Sequence, residues 1–285
     1  MNAQKIGYFV DSLQKTLARH RDTCPSCGAL ETTTVDQKLL VTRLVRCHEC
    51  SLLFRTPTTS AAENAEFYQE DYSLGFTTDM PGDDELARLT ASSFRGTSTD
   101  WTRYREILTA LGVDPRARIL DFGASWGYGS WQLMQAGYSV TAFEISRPRC
   151  RYAREKLGVD AYDDLKEIDG TFDVVFSAHV MEHVPSVAET IRYARSVLFP
   201  GGLFIAFTPN GSAAFRRANP LVWHKMWGQV HPQFLDDRFY MKAFHGSPLL
   251  LTSDPFDLDR IASWSKLETT TFGLGGPELL VVARP

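Results

Sequence analysis

The stretch that decides the fold is Arg118-Ile119-Leu120-Asp121-Phe122-Gly123-Ala124-Ser125-Trp126-Gly127-Tyr128-Gly129. It starts as a short apolar strand, reaches an acidic residue and then passes through spaced glycines. This order is typical of a strand that turns into a helix, and the glycines let the backbone of the turn come close to a ligand. We therefore predict an α/β fold with a ligand site where this strand ends.

Two acidic residues bracket the predicted turn. Asp121, at its mouth, would repel the pyrophosphate of a dinucleotide but attract S-adenosylmethionine (SAM), which carries a sulfonium and an ammonium. The alternating run from Tyr138 to Glu144 predicts a second strand. Glu144 ends it about 20 residues beyond the loop, where a carboxylate accepts hydrogen bonds from ribose hydroxyls. Asp121 therefore favours SAM over NAD as the cofactor, and Glu144 lies where an acid that binds the ribose is expected.

Further strands and helices follow along the chain. Phe172 to Ala178 has the pattern of a buried strand, and Val187 to Leu198 has helical apolar spacing. Pro200-Gly201-Gly202 predicts a turn into a strand from Leu203 to Thr208, and Glu278 to Arg284 is a final apolar strand. Strands and helices thus alternate, as in a doubly wound sheet.

As a set, these segments resemble the class I SAM-dependent methyltransferases over roughly residues 101–285. The resemblance is carried by LDFGASWGYG, FDVVFSAHVMEHVP and LFPGGLFIAFTPNG, although Ser125 stands where the family often has a second glycine. It implies a Rossmann-like, seven-stranded sheet in the order 3-2-1-4-5-7-6 with the last strand antiparallel. The residues predicted to bind the cofactor are Tyr72, Asp121, Gly123, Ala124, Gly127, Glu144, Ile145, Asp163 and Ala178.

Four cysteines form a second signal. Cys24-Pro25-Ser26-Cys27 and Cys47-His48-Glu49-Cys50 are two CxxC knuckles about 20 residues apart, the spacing of a tetrathiolate zinc ribbon. We predict that Cys24, Cys27, Cys47 and Cys50 bind a structural Zn²⁺. A redox pair and a disulfide framework are the alternatives, and His48 could replace one thiolate. Cys150, in the helix after the second strand, is predicted to be a core thiol.

Length and composition fit a soluble, cytoplasmic enzyme. The chain has 285 residues, of which 44% are hydrophobic, enough to bury a full core. No run approaches the 18 apolar residues of a membrane span, and no signal-peptide pattern occurs. The net charge of −4 disfavours a nucleic-acid partner, because phosphate contacts need a basic face. The oligomeric state is not predicted.

We divide the chain into three parts. Residues 1–70 hold an N-terminal helix and the zinc ribbon, residues 71–100 a linker or lid, and residues 101–285 the SAM-binding domain. Within the linker, Asp79 to Glu85 has turn formers and charges without periodicity, so we predict a loop that is solvated or folds over the cofactor with Tyr72. The N-terminal helix is predicted from the spacing of Ile6, Val10, Leu13 and Leu17.

Candidate bases follow the strand that ends at Ala178. His179 and His183 lie there with Glu182, at the edge of the sheet that faces the ligand. The string also spells HxxEH, a metalloprotease signature, but that motif needs a long helix, which the preceding strand and Pro185 disfavour. Some ubiquinone-pathway O-methyltransferases have acidic metal ligands at similar positions. His231, further along, is the third candidate base.

His231 belongs to an insert over about residues 210–247, where this fold builds its acceptor pocket. Aromatic residues alternate there with basic ones, and such a surface can stack on a sugar ring and bind phosphates. We predict O-methylation of a sugar, nucleotide sugar or other glycan acceptor. The alternative functions are an RNA base methyltransferase that recognises RNA through the ribbon, an enzyme that methylates a carbon of a nucleotide sugar, and an inactive interaction protein. For the insert itself, the alternative is a helical cap whose aromatic residues form a core. The aromatics are Phe215, Trp223, Trp227, Phe234, Phe239, Tyr240 and Phe244.

Overall fold

The structure is a computed structural model, and it describes residues 13, 15, 22–38, 40–58, 79–228 and 231–285. Tyr72 and most of the predicted N-terminal helix lie outside these residues. The strands of the described residues are β1 (Thr32–Lys38), β2 (Thr42–Cys47), β3 (Leu53–Thr56), β4 (Arg118–Phe122), β5 (Ser139–Phe143), β6 (Asp160–Tyr162), β7 (Phe172–Ala178), β8 (Leu198–Pro209), β9 (Gln233–Phe234), β10 (Leu249–Ser253), β11 (Thr270–Thr271) and β12 (Glu278–Ala283).

The described helices connect these strands. They are α1 (Asp83–Ala91), α2 (Thr102–Ala110), α3 (Tyr128–Gln135), α4 (Arg147–Leu157), α5 (Val187–Val197), α6 (Ala213–Ala218), α7 (Pro220–Met226), α8 (Asp237–Ala243) and α9 (Leu258–Ala262), with a 3₁₀ turn at Leu165–Glu167. Within the described part of the chain, no helix is long and apolar enough to cross a membrane.

The main sheet has the order β11-β10-β12-β8-β7-β4-β5-β6. Its neighbours pair in parallel except at β12, which is antiparallel to both β8 and β10. The predicted order with one antiparallel strand is therefore confirmed, and β11 adds a short eighth strand at the edge. The predicted second, fourth and last strands match β5, β7 and β12 to within a residue at each end, whereas β8 starts before the predicted glycine turn.

The strands are apolar throughout because both faces of the sheet are covered. Leu120, Val175 and Val281 belong to one buried cluster with α5, whereas their neighbours Ile119 and Val174 belong to the cluster on the other face. Helices α2, α3 and α9 cover that second face. Because β4 pairs in parallel with both β5 and β7, the carboxyl ends of these three strands lie at one edge of the sheet.

The predicted loop from Asp79 to Glu85 is only partly correct, because α1 begins at Asp83. Leu86 on this helix is buried in a cluster with Phe94 and Trp126. This packing stabilises a helix whose acidic first turn shows no apolar periodicity. Acidic residues in a first helical turn are themselves favourable, since they face the positive end of the helix dipole.

A second, antiparallel sheet follows the first cysteine knuckle and contains the second one between two of its strands. Its order is β1-β2-β3-β9, and β3 pairs with β9, a short strand from the insert. Cys24 and Cys47 also belong to the buried cluster that lies on one face of the main sheet. The knuckles are thus packed against the large domain.

Candidate functional site

The loop after β4 has the backbone that its glycines predict. Gly123, Ser125 and Gly127 all have left-handed conformations, with φ of 89°, 53° and 86°. A Cβ on Gly123 would lie 2.2 Å from Cγ2 of Val180, so the loop and the segment after β7 are in contact where only glycine fits. Ser125 takes the family's glycine position in a conformation that is uncommon for serine.

Glu144 binds this loop directly. Its Oε2 accepts a hydrogen bond of 2.8 Å from the Ser125 amide, and its Oε1 accepts one of 2.8 Å from the Ser146 amide. Burial raises the pKa of Glu144 to about 7, although these amide hydrogen bonds oppose the rise. Each carboxylate oxygen has a further lone pair, so Glu144 can still accept a hydrogen bond from a ribose hydroxyl. That contact stays a prediction, and holding the glycine loop is an additional role of Glu144.

Asp121 lies at the end of β4 with only 1% of its surface exposed. Its Oδ2 accepts a hydrogen bond of 2.6 Å from the Ser130 hydroxyl at the start of α3. Burial raises the pKa of Asp121 to about 7, against this hydrogen bond. A cation beside a buried carboxylate stabilises its charged form, so this site suits the positive charge of SAM.

The pKa of Asp121 predicts that SAM binds less tightly in acid. Below about pH 7 the free protein holds a proton on Asp121, and the cation must displace it, at a cost of up to about tenfold in Kd per pH unit. Above that pH the affinity levels off. Calorimetry across this range, in buffers of different ionisation enthalpy, should show proton release on the acid side only. A Kd that does not vary with pH would contradict the prediction.

The remaining predicted cofactor residues lie along the same edge. Ala124 follows Gly123, and both of their amides donate to the carbonyl of Phe143, at 2.9 and 2.8 Å. Ile145 is 39% exposed just beyond β5, and Ala178 ends β7. Asp163 follows β6 and accepts a hydrogen bond of 3.1 Å from Nε of Arg147. Their contact with the cofactor stays a prediction.

A carboxylate and two histidines meet beyond β7. Glu182 is fully buried, and within the described residues neither of its oxygens makes a hydrogen bond of ordinary geometry. His183 Nε2 lies 3.8 Å from Oε1 of Glu182, and the His183 and His231 rings lie 5.0 Å apart. Burial favours the neutral acid, but contact with His179 and the charges of the other histidines keep the pKa of Glu182 below its usual value. The site thus holds a buried carboxylate facing two imidazoles.

His231 is oriented as a base. Its Nδ1 lies 2.5 Å from the carbonyl oxygen of Met226, which can only accept a hydrogen bond. In the neutral ring, Nδ1 is therefore the protonated nitrogen and Nε2 keeps its lone pair. One ligand atom each from Glu182, His183 and His231 lie within 4.8 Å of one another, so this group could also hold a metal ion.

His179 does not fit the role of a base. Its Nε2 lies 2.6 Å from Oε1 of Glu278 and its Nδ1 lies 3.6 Å from Glu182. Although burial opposes protonation, these two carboxylates raise the pKa of His179 to about 10, so it stays protonated at neutral pH. Residues 179–185 are turns and bends instead of a helix, which also removes the metalloprotease interpretation of HxxEH.

Glu278 is a site residue that sequence reasoning missed. It begins β12, where it joins His179 and Arg103, whose Nη1 lies 2.8 Å from its Oε2. The only signal in the sequence is an acid at the head of a strongly apolar strand. Because the partner histidine is 99 residues away, no local pattern connects the two.

The aromatics of the insert form a core. Each of the seven predicted for acceptor stacking is at most 2% exposed. Trp223 packs on Phe234 with ring centroids 5.2 Å apart, and Arg216 lies over Trp223 at 4.5 Å. The expectation that these rings stack on a sugar is therefore wrong, and the alternative of a helical cap with a core of aromatics is correct for them.

The four cysteines meet as predicted. The sulfurs of Cys24 and Cys50 lie 3.5 Å apart, as do those of Cys27 and Cys47, and all four lie within 4.8 Å of one another. The edge of a tetrahedron with Zn–S bonds of about 2.3 Å is about 3.8 Å, so the four thiols have the spacing of a zinc site. His48 is not part of the group, because its Nε2 lies 2.6 Å from the Thr33 hydroxyl. Cys150 is buried in the core, as predicted.

Comparison with known proteins identifies the family. A family model described as a methyltransferase domain matches residues 97–247, more than half of the chain, so the chain belongs to this family. Its sheet is that of the class I SAM-dependent methyltransferases. A crystal structure of the plantazolicin methyltransferase BpumL, in complex with a pentazolic desmethylPZN analog and SAH, has a TM-score of 0.50, covering 77% of this chain and 93% of that one. At 12% identity, this likeness shows the fold alone.

Curated relatives match a shorter segment. The ubiquinone biosynthesis O-methyltransferase of Xanthomonas campestris pv. campestris is 35% identical over 115 residues, which are 36% of this chain and 48% of that protein. The protein with the same description from Paramagnetospirillum magneticum is 33% identical over 103 residues, 33% of this chain and 41% of that protein. The match therefore spans about half or less of these relatives' length.

Proposed function

We propose that the protein is a SAM-dependent O-methyltransferase that removes the acceptor's proton with the Glu182, His183 and His231 group. One observation carries the proposal: the fully buried carboxylate of Glu182 lies beside two histidines, His183 on the segment that touches the glycine loop through Val180 and His231 on the insert. A carboxylate that stabilises an imidazolium makes the histidine a stronger base. Such a group suits a weakly acidic hydroxyl as acceptor.

The proposed reaction is a direct displacement. The acceptor oxygen attacks the methyl carbon of SAM, the carbon–sulfur bond breaks, and its electron pair stays on the sulfur of the SAH that leaves. As the oxygen loses its proton, a histidine takes it, and the negative charge of Glu182 stabilises the imidazolium. Much of the rate must come from holding the two reactants in line, since methyl transfer needs little further chemistry.

The same three residues support a second mode of activation. A divalent cation held by Glu182, His183 and His231 would lower the pKa of a bound hydroxyl, since imidazole and carboxylate suit several divalent metals. Metal analysis separates the two modes. Zinc bound only at the four cysteines gives about one metal per chain, whereas a metal-activated site adds a second.

The acceptor we propose is a small molecule with a sugar hydroxyl. Support comes from the basic side chains of the insert, such as the exposed Arg217 and Arg238, which suit an anionic glycan or nucleotide sugar. Aromatic stacking does not support a sugar acceptor, because the aromatic residues of the insert are buried. A phenolic acceptor is the competing class, because the curated relatives are described as ubiquinone biosynthesis O-methyltransferases. An RNA base and the carbon of a nucleotide sugar are further alternatives.

The N-terminal part is proposed to be a zinc ribbon. The sulfur positions fit a tetrahedral thiolate site, in which Cys24, Cys27, Cys47 and Cys50 would hold the metal. Such a metal stabilises a segment too small to have its own core. The division at residues 70 and 100 stays a proposal, and the shared β3–β9 pairing joins the parts on either side of it.

The experiment that tests the function is a transfer assay with labelled SAM. We expect methylation of at least one member of a panel of nucleotide sugars, free sugars and simple phenols, with the product carrying a methyl ether. A product methylated on carbon would support the C-methylation alternative. If SAM binds but transfer occurs only to RNA, the small-molecule proposal is wrong.

A further inference from the structure

The short strand β9, which begins two residues after His231, belongs to the same sheet as the strands of the ribbon. Two residues after His231, β9 pairs antiparallel with β3, with Phe54 opposite Gln233 and Leu53 opposite Phe234. The Arg55 amide also donates a hydrogen bond of 2.8 Å to the carbonyl of Pro232. The backbone next to His231 is therefore bonded to the ribbon.

A partly buried ion pair joins the other end of the segment, at Asp236, to the ribbon. Nη2 of Arg46 lies 2.7 Å from Oδ2 of Asp236, whose side chain is 1% exposed. The second carboxylate oxygen of Asp236 accepts from the Phe239 amide at 2.9 Å and so caps α8. From the same helix, Lys242 donates to the carbonyl of Glu49 at 2.7 Å, within the second cysteine knuckle.

The opposite side of the segment contacts the residues that follow β7. The Gln233 amide donates to the carbonyl of Glu182 at 3.3 Å, and its side-chain amide donates to the carbonyl of Val184. Residues 231–236 thus lie between the ribbon and the segment with Glu182 and His183. A shift of β3 would be transmitted to the spacing between the two histidines.

Cys47 and Cys50 lie at the turn that leads into β3. Cys47 is the last residue of β2 and Cys50 lies three residues before Leu53, the first of β3, so the second knuckle is the hairpin between these strands. Metal bound to both of its thiolates would fix the geometry of this turn, and with it the register of β3.

We propose that the ribbon is a clamp for the acceptor side of the active site, in which zinc at the four cysteines and the Arg46–Asp236 pair position His231 against Glu182 and His183. Arg46 is a positioning residue in this proposal, because it acts on His231 through Asp236. The part that His231 plays in turnover rests on the proposed function, but its position does not. The cofactor loop after β4 makes no such contact with the ribbon among the described hydrogen bonds.

The test follows the histidine rings by NMR in the whole protein labelled on histidine, with His231 assigned through H231Q. Metal analysis of the purified protein should find zinc. After its removal by a chelator, we expect the His231 and His183 signals to leave their native positions, while SAH affinity measured by calorimetry stays unchanged. Adding zinc back should restore the signals.

Two variants, R46Q and its control R116Q, separate the effect of the Arg46–Asp236 pair from the effect of the metal. R46Q should displace the same two signals with zinc still bound, whereas R116Q, which removes the exposed Arg116–Asp114 pair, should leave them in place. If R46Q does not fold, D236N removes the charge and keeps an oxygen to cap α8. Protein purified without zinc, or His231 signals that do not move on chelation and in the clamp variant, would overturn the proposal. Signals that move while turnover stays constant would instead contradict the catalytic role of His231.

Discussion

His183→Ala and His231→Ala should each slow methyl transfer by about 10²- to 10⁴-fold, the range in which a positioned general base contributes. The centroids of the two rings lie 5.0 Å apart beside the buried Glu182 carboxylate, and both rings belong to the group proposed to accept the proton. Residues that act as a unit are not additive, and the double variant should therefore be little slower than the slower single one. Single-turnover rates with saturating SAM and an acceptor found in the panel measure the effect.

SAM affinity should be retained in both variants, because neither histidine is placed to hold the cofactor. His245→Ala is the matched control, since His245 lies in the same insert but is exposed to solvent. Its turnover should equal that of the unchanged protein. If both site variants keep near-normal rates, proximity alone drives the reaction, and the histidine assignment must be abandoned.

The sequence predicted well where the two acidic residues of the proposed cofactor site lie, for a local reason. Asp121 is the second-to-last residue of β4 and Glu144 directly follows β5, and parallel strands bring their carboxyl ends to one edge. Strand period and turn glycines are properties of neighbouring residues, so they can be read from the chain. The pattern of the four cysteines is equally local, since two knuckles of fixed spacing predict a metal site without knowledge of the fold.

The acceptor side was harder to predict because its contacts are distant in sequence. β9 has only two residues and no alternation, and it exists because β3 offers a partner edge about 180 residues earlier. The ion pair of His179 with Glu278 likewise joins the segment after β7 to the first residue of β12, 99 residues later. It raises the pKa of a histidine that, from its position alone, is as good a base as His183.

The aromatic insert shows a different limit. Stacking surface and buried core have the same composition, and short helices such as α6 and α7 give too few turns for a periodic pattern to separate them. Burial of Trp223 and Phe234 is decided by Leu44 and Leu53 of the ribbon, which lie in the same apolar cluster. Tertiary packing therefore decided this question, and it also linked the ribbon to the acceptor side.

Glu144→Ala should weaken SAM binding by about 1 to 3 kcal/mol, the cost of losing hydrogen bonds to a charged group. Two losses contribute: the carboxylate predicted to contact the ribose, and the acceptor of the Ser125 and Ser146 amides, which then lack a partner in a loop that must fit the cofactor closely. Calorimetric titration with SAM measures the change, and Glu155→Ala, which removes an exposed carboxylate from α4, is the matched control. Unchanged affinity in the Glu144 variant would mean that the glycine loop keeps its shape without the carboxylate and that the ribose is held elsewhere.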